Sequence, residues 1–389
     1  MPSSTVISGV QYSGIWTMNQ VNAAIAASTW PAAYNTVSLF SWGSNNAGQL
    51  GLGNTTYYSS PKQVGSSAWA TISAGVPGNF CLATKGDGTL WAWGNGADGR
   101  LGLGNTTSYS SPKQVGALTT WSKVSAGSEH TLAIKTNGTL WSWGYNATGQ
   151  LGLNNLSYIS SPNQVGALTT WSAISGGFRC SLAVKTDGTL WTWGRNDYGQ
   201  LGIGNTTNYS SPKQVGALTA WLVVASGTYY SLSVKTDGTL WAWGKNTQGQ
   251  LGLGNTTSYS SPKQIGALTT WYQVDGGGST AQTLATKTDG TLWSWGSGTD
   301  GALGLGNTTS YSSPKQVGAL TDWLSITCGT YNSCLATRTN GTLWSWGNNT
   351  QGILGHGSLV DFSSPKQVGA LTTWSKVSAG QSWAVALTI

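Results

Sequence analysis

The chain has 389 residues, a length that suits two or three average domains or one large all-β domain. Charged residues make up 7% and hydrophobic residues 39%, with 23 tryptophans, a balance that excludes a disordered chain. The net charge is +7, but lysine and arginine are scattered singly, whereas nucleic-acid-binding proteins concentrate them in patches. No apolar run is long enough to cross a bilayer. We therefore expect no nucleic-acid partner and no membrane insertion.

Residues 1–34 differ from the rest of the chain. The segment from Ser13 to Ala27 reads as a short helix, in which Thr17 and Gln20 form a capping box and an apolar face follows. The residues expected to anchor or cap the remainder are Trp16, Met18, Val21, Ile25 and Trp30. We interpret 1–34 as an anchor or capping segment and 35–389 as a separate domain.

From residue 35 onward the chain is one unit repeated seven times. The dipeptide Trp-Gly marks each copy, at intervals of about 50 residues: Trp42, Trp93, Trp143, Trp193, Trp243, Trp295 and Trp346. Each unit reads as four short strands. An Asp-Gly or Asn-Gly pair, as at Asp187, separates two strands and predicts a tight β-hairpin, so these carboxylates are turn residues rather than catalytic groups.

The repeated tryptophans are interpreted as packing residues. Trp191 and Trp193 stand two apart in one strand and therefore point to the same face. A ladder of tryptophans can also bind sugars or stacked bases. A residue required at the same place in every copy is more economically a contact between neighbouring repeats.

The two ends of the repeat array complement each other. The last unit stops after Trp383–Leu387, where a further strand is due, and residues 37–43 match that missing strand without a hairpin partner of their own. Pairing of the two ends leaves no exposed sheet edge. The sequence thus predicts an all-β fold, a seven-bladed β-propeller closed by the N- and C-terminal strands.

The repeat resembles that of the regulator of chromosome condensation family. The motifs that carry the resemblance are Ser125-Ala126-Gly127, His130-Thr131-Leu132-Ala133, Asn137-Gly138, Trp143-Gly144 and Gly149-Gln150-Leu151-Gly152. The resemblance covers about nine-tenths of the chain and implies the seven-bladed fold. It does not imply nucleotide exchange on a small GTPase, which depends on particular loops, because no long insertion interrupts these units.

A second resemblance concerns the N-terminal segment. GIWTMNQVNAAIAASTWP, which begins at Gly14, looks like a short module of phage structural and tail-associated proteins. It implies an anchor on a virus particle. A helix that caps the propeller is the alternative, and both interpretations can hold together.

Enzymatic chemistry has few candidate groups here. The chain has two histidines, His130 and His356, and one glutamate, Glu129, with no metal-binding or nucleophile motif. We expect no catalysis, no cofactor and no metal. Cys328 and Cys334 are close enough in sequence to pair, but buried free thiols are the preferred interpretation.

Recognition is expected in the loops that vary between otherwise similar units. One set follows the Ala-Gly or Gly-Gly of each unit and the other follows Trp-Gly. Aromatic rings among Arg, His and Asn suit a sugar or peptide site, although surface decoration is an equal alternative. The candidate ligand- or receptor-binding residues are Phe80, His130, Phe178, Arg179, Tyr229, Tyr230, Tyr331, Asn332, Trp383, Tyr145, Arg195 and Tyr198.

These observations lead to the hypothesis of a phage virion protein, tail-associated and located on the particle. Its expected partners are other virion proteins, a host surface glycan or protein, and further copies of itself. The alternatives are a non-enzymatic protein-interaction scaffold of the regulator of chromosome condensation type and a sugar-binding propeller.

Overall fold

The computed structural model describes residues 4–7, 10–13, 37–278 and 281–389. Contacts divide the chain into two units, 1–36 and 37–389. In the first unit, β1 (Ser4–Ile7) pairs antiparallel with β2 (Val10–Ser13). The predicted anchor residues Trp16, Met18, Val21, Ile25 and Trp30 lie outside the described residues, so their role stays a prediction.

The second unit is a seven-bladed propeller of four-stranded antiparallel sheets, which confirms the predicted fold. The first strand of each blade begins with a tryptophan and lies at the centre of the ring: β5 (Trp69–Ala74), β9 (Trp121–Ala126), β13 (Trp171–Gly176), β17 (Trp221–Ser226), β21 (Trp271–Gly276), β25 (Trp323–Cys328) and β29 (Trp374–Ala379). The second strands are almost fully buried: β6 (Phe80–Lys85), β10 (His130–Lys135), β14 (Cys180–Lys185), β18 (Tyr230–Lys235), β22 (Gln282–Lys287), β26 (Ser333–Arg338) and β30 (Trp383–Thr388).

The third strands end at the Trp-Gly marker: β7 (Leu90–Gly94), β11 (Leu140–Gly144), β15 (Leu190–Gly194), β19 (Leu240–Gly244), β23 (Leu292–Gly296), β27 (Leu343–Gly347) and β3 (Leu39–Gly43). The fourth strands form the outer edges and contain proline, which an edge strand tolerates: β8 (Tyr109–Gln114), β12 (Ile159–Gln164), β16 (Tyr209–Gln214), β20 (Tyr259–Gln264), β24 (Tyr311–Gln316), β28 (Phe362–Gln367) and β4 (Tyr58–Gln63). Two 3-10 turns, Ala97–Gly99 and Thr299–Gly301, complete the described elements. We number the blades 1 to 7 from β5 to β29.

Blade 7 is built from both ends of the chain. Its strand order is β29-β30-β3-β4, and β3 pairs with β30 so that Trp42 faces Ala384 and Gly43 faces Trp383. Closure by terminal strands is therefore confirmed.

Hydrogen bonds join neighbouring blades near the axis. The Ser73 hydroxyl accepts the backbone N–H of Ala126 at 2.9 Å, and Ser378 accepts that of Ala74 at 3.0 Å. In blade 5 an aspartate occupies this position, and a carboxylate oxygen of Asp275 accepts the N–H of Cys328 at 2.9 Å. These hydrogen bonds link the first strands of neighbouring blades around the central axis.

The Trp-Gly tryptophans pack between blades, as predicted. Trp193 is fully buried, and its Nε1 donates to the carbonyl of Gln150 in the preceding blade at 2.8 Å. Gly152, two residues after Gln150, has φ +71°, and a Cβ there would lie 2.8 Å from Trp193 Nε1. Glycine is required at this point because the indole approaches the backbone so closely.

The Asp-Gly pairs are turns, also as predicted. Asp187 Oδ1 accepts from the backbone N–H and the hydroxyl of Thr189, and Gly188 has φ +75°. The Thr189 hydroxyl in turn accepts from Trp191 Nε1 at 2.9 Å. No helix in the described part of the chain has the length and apolar character needed to span a membrane.

Candidate functional site

Two sets of variable loops meet on one face of the ring. The turn between the first two strands of a blade is tied to the loop after its third strand by a backbone hydrogen bond. Tyr145 N–H donates to Glu129 in blade 2, Arg195 to Arg179 in blade 3 and Lys245 to Tyr229 in blade 4, at 2.8–2.9 Å. The loops of these three blades carry most of the predicted recognition residues. We call their combined surface the aromatic–cationic face.

Rings and guanidinium groups alternate across this face. The Arg179 guanidinium lies 4.5 Å from the Tyr145 ring centroid and 5.5 Å from that of Phe178. Arg195 lies 5.5 Å from Phe178 and 5.2 Å from Tyr229. Phe178 and Tyr229 contact edge to face at 5.3 Å. Cation–π and edge-to-face contacts of this kind fix the orientation of otherwise mobile side chains.

The array extends at both ends. Tyr198 packs on Tyr229 at 4.9 Å, and Lys245 Nζ lies 5.2 Å from the Tyr198 ring. At the other end Tyr158 packs on Tyr145 at 4.6 Å, and a hydrogen bond between the two hydroxyls raises the pKa of Tyr158. Tyr158 and Tyr198 are 49% and 39% exposed, so the face presents ring surface to solvent.

Two of the three cations are paired within the chain. Arg179 Nε and Nη2 donate to the Glu129 carboxylate of the preceding blade at 2.7 and 3.3 Å, and this bond raises the pKa of Arg179. Arg195 pairs with Asp197. No carboxylate of the described residues forms an ion pair with Lys245. Lys245 is therefore the charge on this face that can pair with a partner.

Five predicted recognition residues do not belong to the exposed surface, which corrects the prediction. Phe80, His130, Tyr230, Trp383 and Asn332 are at most 4% exposed. Four of them begin the second strand of a blade and fill the space above a glycine of the preceding turn. A Cβ on Gly227, for example, would lie 2.0 Å from the Tyr230 ring. These four side chains are core residues.

The fifth, Asn332, belongs to a polar contact in blades 5 and 6. Its amide donates to Asp300 at 3.0 Å, as does that of Asn348 at 3.1 Å. Tyr331 beside it is 45% exposed, and its hydroxyl accepts from Gln381 in blade 7. Tyr331 makes none of the ring contacts described for blades 2 to 4, and its role stays a prediction.

The histidines lack the setting for acid–base catalysis. His130 Nε2 lies 2.9 Å from the Ser181 hydroxyl, and burial lowers the pKa of His130 to about 3. The neighbouring Glu129 is bonded to Arg179 instead. Burial also lowers the pKa of His356, to about 4. Among the described residues no group of His, Cys, Asp and Glu is placed to hold a metal ion.

The predicted recognition residues do not include Tyr158, which extends the array. Its signal is the variability of this position, which holds Tyr57, Ser108, Asn208, Ser258, Ser310 and Asp361 in the other units. Lys245, also outside the predicted set, belongs to the loops already recognised as variable.

Comparison with known proteins gives the family context. The model of the RCC1-like domain matches residues 13–280, and that of the regulator of chromosome condensation (RCC1) repeat matches 289–336 and 340–387. The chain is 35% identical over 116 residues to the mouse E3 ubiquitin-protein ligase HERC2, covering 29% of this chain and 2% of that protein. It is 35% identical over 97 residues to the ultraviolet-B receptor UVR8 of Arabidopsis thaliana, covering 24% of this chain and 22% of the receptor. This chain thus spans only a small part of these relatives.

Solved structures share the fold. Human WBSCR16 superposes with a TM-score of 0.80 at 23% identity, covering 90% of this chain and 98% of that one. Prp20p of Saccharomyces cerevisiae gives a TM-score of 0.80 at 19% identity, covering 92% of each chain.

These comparisons overturn the prediction of a phage virion protein. The relatives are a ubiquitin ligase, an ultraviolet-B receptor and an RCC2 homologue, from animals and a plant. The RCC1-like match also begins at residue 13, inside the segment interpreted as a virion anchor. The predicted virion localisation is therefore wrong. The predicted partners, which were virion proteins, a host surface glycan or protein and further copies on a particle, are wrong as well.

Proposed function

The chain belongs to the family of RCC1-like domains, and on that premise we propose that it is a non-enzymatic scaffold that binds a partner protein through its aromatic–cationic face. The observation that carries the proposal is the interleaved array of Tyr145, Arg179, Phe178, Arg195 and Tyr229. It arises on three adjacent blades of a ring whose repeats are otherwise closely similar.

The composition of the face favours a protein partner. Tyrosine and arginine are enriched among the residues that dominate protein–protein binding energy. Stacking holds Arg179 and Arg195 in place before any partner arrives, which lowers the entropy lost on binding. Because both already have carboxylate partners, the binding protein need not be strongly acidic. We expect it to place one carboxylate against Lys245.

The relatives support a protein-binding role. Prp20p has been characterised for its binding to Gsp1p and histones, and yeast RCC1 (Prp20) has been crystallised bound to Kap60. Those partners belong to the yeast protein. For this chain we carry over only the use of a propeller surface to bind proteins.

The test is affinity capture from an extract of the source cells with two matched variants. Phe178 and Tyr331 each lie two residues before the second strand of their blade, where blade 4 has Thr228. Phe178→Thr removes an aromatic side chain from the array. Tyr331→Thr removes an exposed aromatic side chain from a different blade of the propeller. We expect a specific partner to be retained by the wild type and by Tyr331→Thr and to be lost with Phe178→Thr. Equal retention by both variants would contradict the proposal.

A further inference from the structure

Two cysteines face each other across the first two strands of blade 6. The antiparallel register of β25 and β26 pairs Cys328 with Cys334, and their sulfur atoms lie 3.7 Å apart. Both are free thiols and both are buried. Only residues 329–333, the short turn and the first residue of β26, separate them along the chain.

The backbone geometry suits a covalent bond between the two sulfurs. The neighbouring pair, Gly329 and Ser333, is joined by a backbone hydrogen bond of 2.8 Å, so the cysteines occupy the adjacent non-hydrogen-bonded position. At such positions the Cα atoms are about 4.5 Å apart, which falls within the range that disulfides span. A small approach of the side chains is enough to close the bond.

We propose that Cys328 and Cys334 are a redox-convertible pair that forms a cross-strand disulfide. The oxidant is a small disulfide such as oxidised glutathione. The thiolate of one cysteine attacks a sulfur of the oxidant, which forms a mixed disulfide and releases one small thiol. The second cysteine then attacks the protein sulfur of this mixed disulfide and releases the second small thiol. Two protein thiols and one small disulfide become one protein disulfide and two small thiols.

No other blade has two thiols at this pair of positions. The equivalent pairs are Ala74 with Cys81, Ala126 with Thr131, Gly176 with Ser181, Ser226 with Ser231, Gly276 with Thr283 and Ala379 with Ala384. Packing at this position is therefore satisfied by small or hydroxyl side chains. Cys334 Sγ contacts the carbonyl of Ala302, just as the Thr131 hydroxyl donates to Arg100 in blade 2.

The turn between the cysteines controls access to them. Burial raises the pKa of the Cys328 thiol, so the reactive thiolate is scarce while the strands stay closed. Tyr331 in the turn is exposed, and opening of this short segment is the shortest route for an oxidant. We therefore expect slow oxidation of the native protein, over hours.

The disulfide would constrain the turn of blade 6 that hydrogen-bonds blade 5. The turn it closes carries Asn332, whose amide bonds Asp300 of blade 5, and Cys328 itself donates to Asp275 of the same blade. Oxidation would constrain this turn within blade 6, next to its hydrogen bonds to blade 5, without touching the aromatic–cationic face of blades 2 to 4. The redox pair is thus independent of the proposed function.

The test is oxidation of the full chain in glutathione buffers of increasing oxidised fraction, followed by acid quenching, alkylation, trypsin digestion and mass spectrometry. Both cysteines fall on one tryptic peptide, 316–338, so the disulfide appears as an unalkylated peptide lighter by two hydrogen atoms. We expect this form to replace the doubly alkylated peptide, while Cys81 and Cys180 stay alkylated. Full alkylation of 316–338 across the whole series, or glutathione adducts alone, would overturn the proposal.

The other blades provide variants that should fold. Cys328→Ala and Cys334→Thr introduce residues found at these positions in blades 1 and 2, and each should abolish the light peptide. Ala74→Cys places a thiol opposite Cys81 and should create a second disulfide under the same conditions. Persistence of the light peptide in Cys328→Ala, or no disulfide at the Ala74→Cys site, would contradict the geometric argument.

Discussion

The guanidinium of Arg179 lies 4.5 Å from the ring of Tyr145, a residue of the preceding blade, and bonds Glu129 of that same blade. One side chain thus joins two repeats on the exposed face. The equivalent positions in the other blades hold Asn79, Glu129, Tyr229, Ala281, Asn332 and Ser382, so the contact is specific to this pair of blades. Features that depart from the repeat in this way distinguish the proposed recognition surface from the scaffold.

The hydrogen bond between blades from each Trp-Gly indole should contribute measurably to stability. Trp193→Phe removes the N–H that donates to Gln150 and part of a fully buried side chain. We expect a loss of about 2–3 kcal/mol in the free energy of unfolding, measured by denaturant titration.

Trp191→Phe is the matched control for Trp193→Phe. Trp191 is half-buried and its N–H donates to Thr189 within its own turn, so its loss should cost about 1 kcal/mol or less. Equal losses of unfolding free energy for the two variants would show that the contact of Trp193 with the preceding blade contributes no more to stability than a contact within one turn.

Glycine is required where the chain passes an indole. Gly202 has φ +72°, and a Cβ there would lie 2.7 Å from Trp243 Nε1. Gly202→Ala combines backbone strain with overpacking and should cost about 3 kcal/mol in thermal or denaturant unfolding.

Gly216→Ala separates these two effects. Gly216 has φ +55°, and a Cβ there would have no heavy atom within 4 Å, so only backbone strain applies. The expected cost is about 1 kcal/mol. A cost for Gly202→Ala no greater than this would refute the steric argument.

Asp275 should make stability depend on pH. Burial raises the pKa of Asp275 to about 6, so the folded state favours the protonated form more than the unfolded state does. The free energy of unfolding should therefore fall as pH rises from about 4 through about 6. Nearby Tyr230 and Cys328 stay protonated in this range, because burial raises the pKa of each.

Asp275→Ser removes this ionisation while keeping the acceptor that Ser73 and Ser125 provide in blades 1 and 2. His130 and His356 contribute alike to both proteins, so the difference between the two stability curves isolates Asp275. We expect the variant to gain about 2 kcal/mol relative to wild type between pH 4 and pH 8, because the Asp275 residue is half-buried and solvent screens part of its carboxylate charge. Parallel curves would contradict the pKa assignment.

Much of the fold follows from local sequence rules. Asp187-Gly188 specifies a tight turn, and the strand Leu39–Gly43, which has no hairpin partner before it, specifies closure with the C-terminus. The aromatic–cationic face is harder to predict from the sequence. Phe178 and Tyr230 both lie in variable positions of the sequence. Strand alternation and the glycine beneath Tyr230 place the Tyr230 side chain in the core, whereas the Phe178 side chain lies on the surface.

The partner could not be predicted from the N-terminal segment. Gly14–Pro31 is short, and its resemblance to phage proteins carries little information beside that of the repeated units. The RCC1-like match extends over 13–280 and outweighs it. Function in such a chain depends on which loop side chains meet across blades, and contacts such as Arg179 with Glu129 join residues 50 positions apart.

Site-specific photo-cross-linking can show whether a partner protein binds blades 2 to 4. Tyr198 on the aromatic–cationic face and Tyr331 in blade 6 are similarly exposed, at 39% and 45%. Each is replaced in turn by a photoreactive phenylalanine analogue in the full chain, which is then irradiated in the source cells. We predict a discrete cross-linked protein from position 198 and none from position 331. The same adduct at both positions, or an adduct at 331 alone, would show that the partner does not bind specifically at blades 2 to 4.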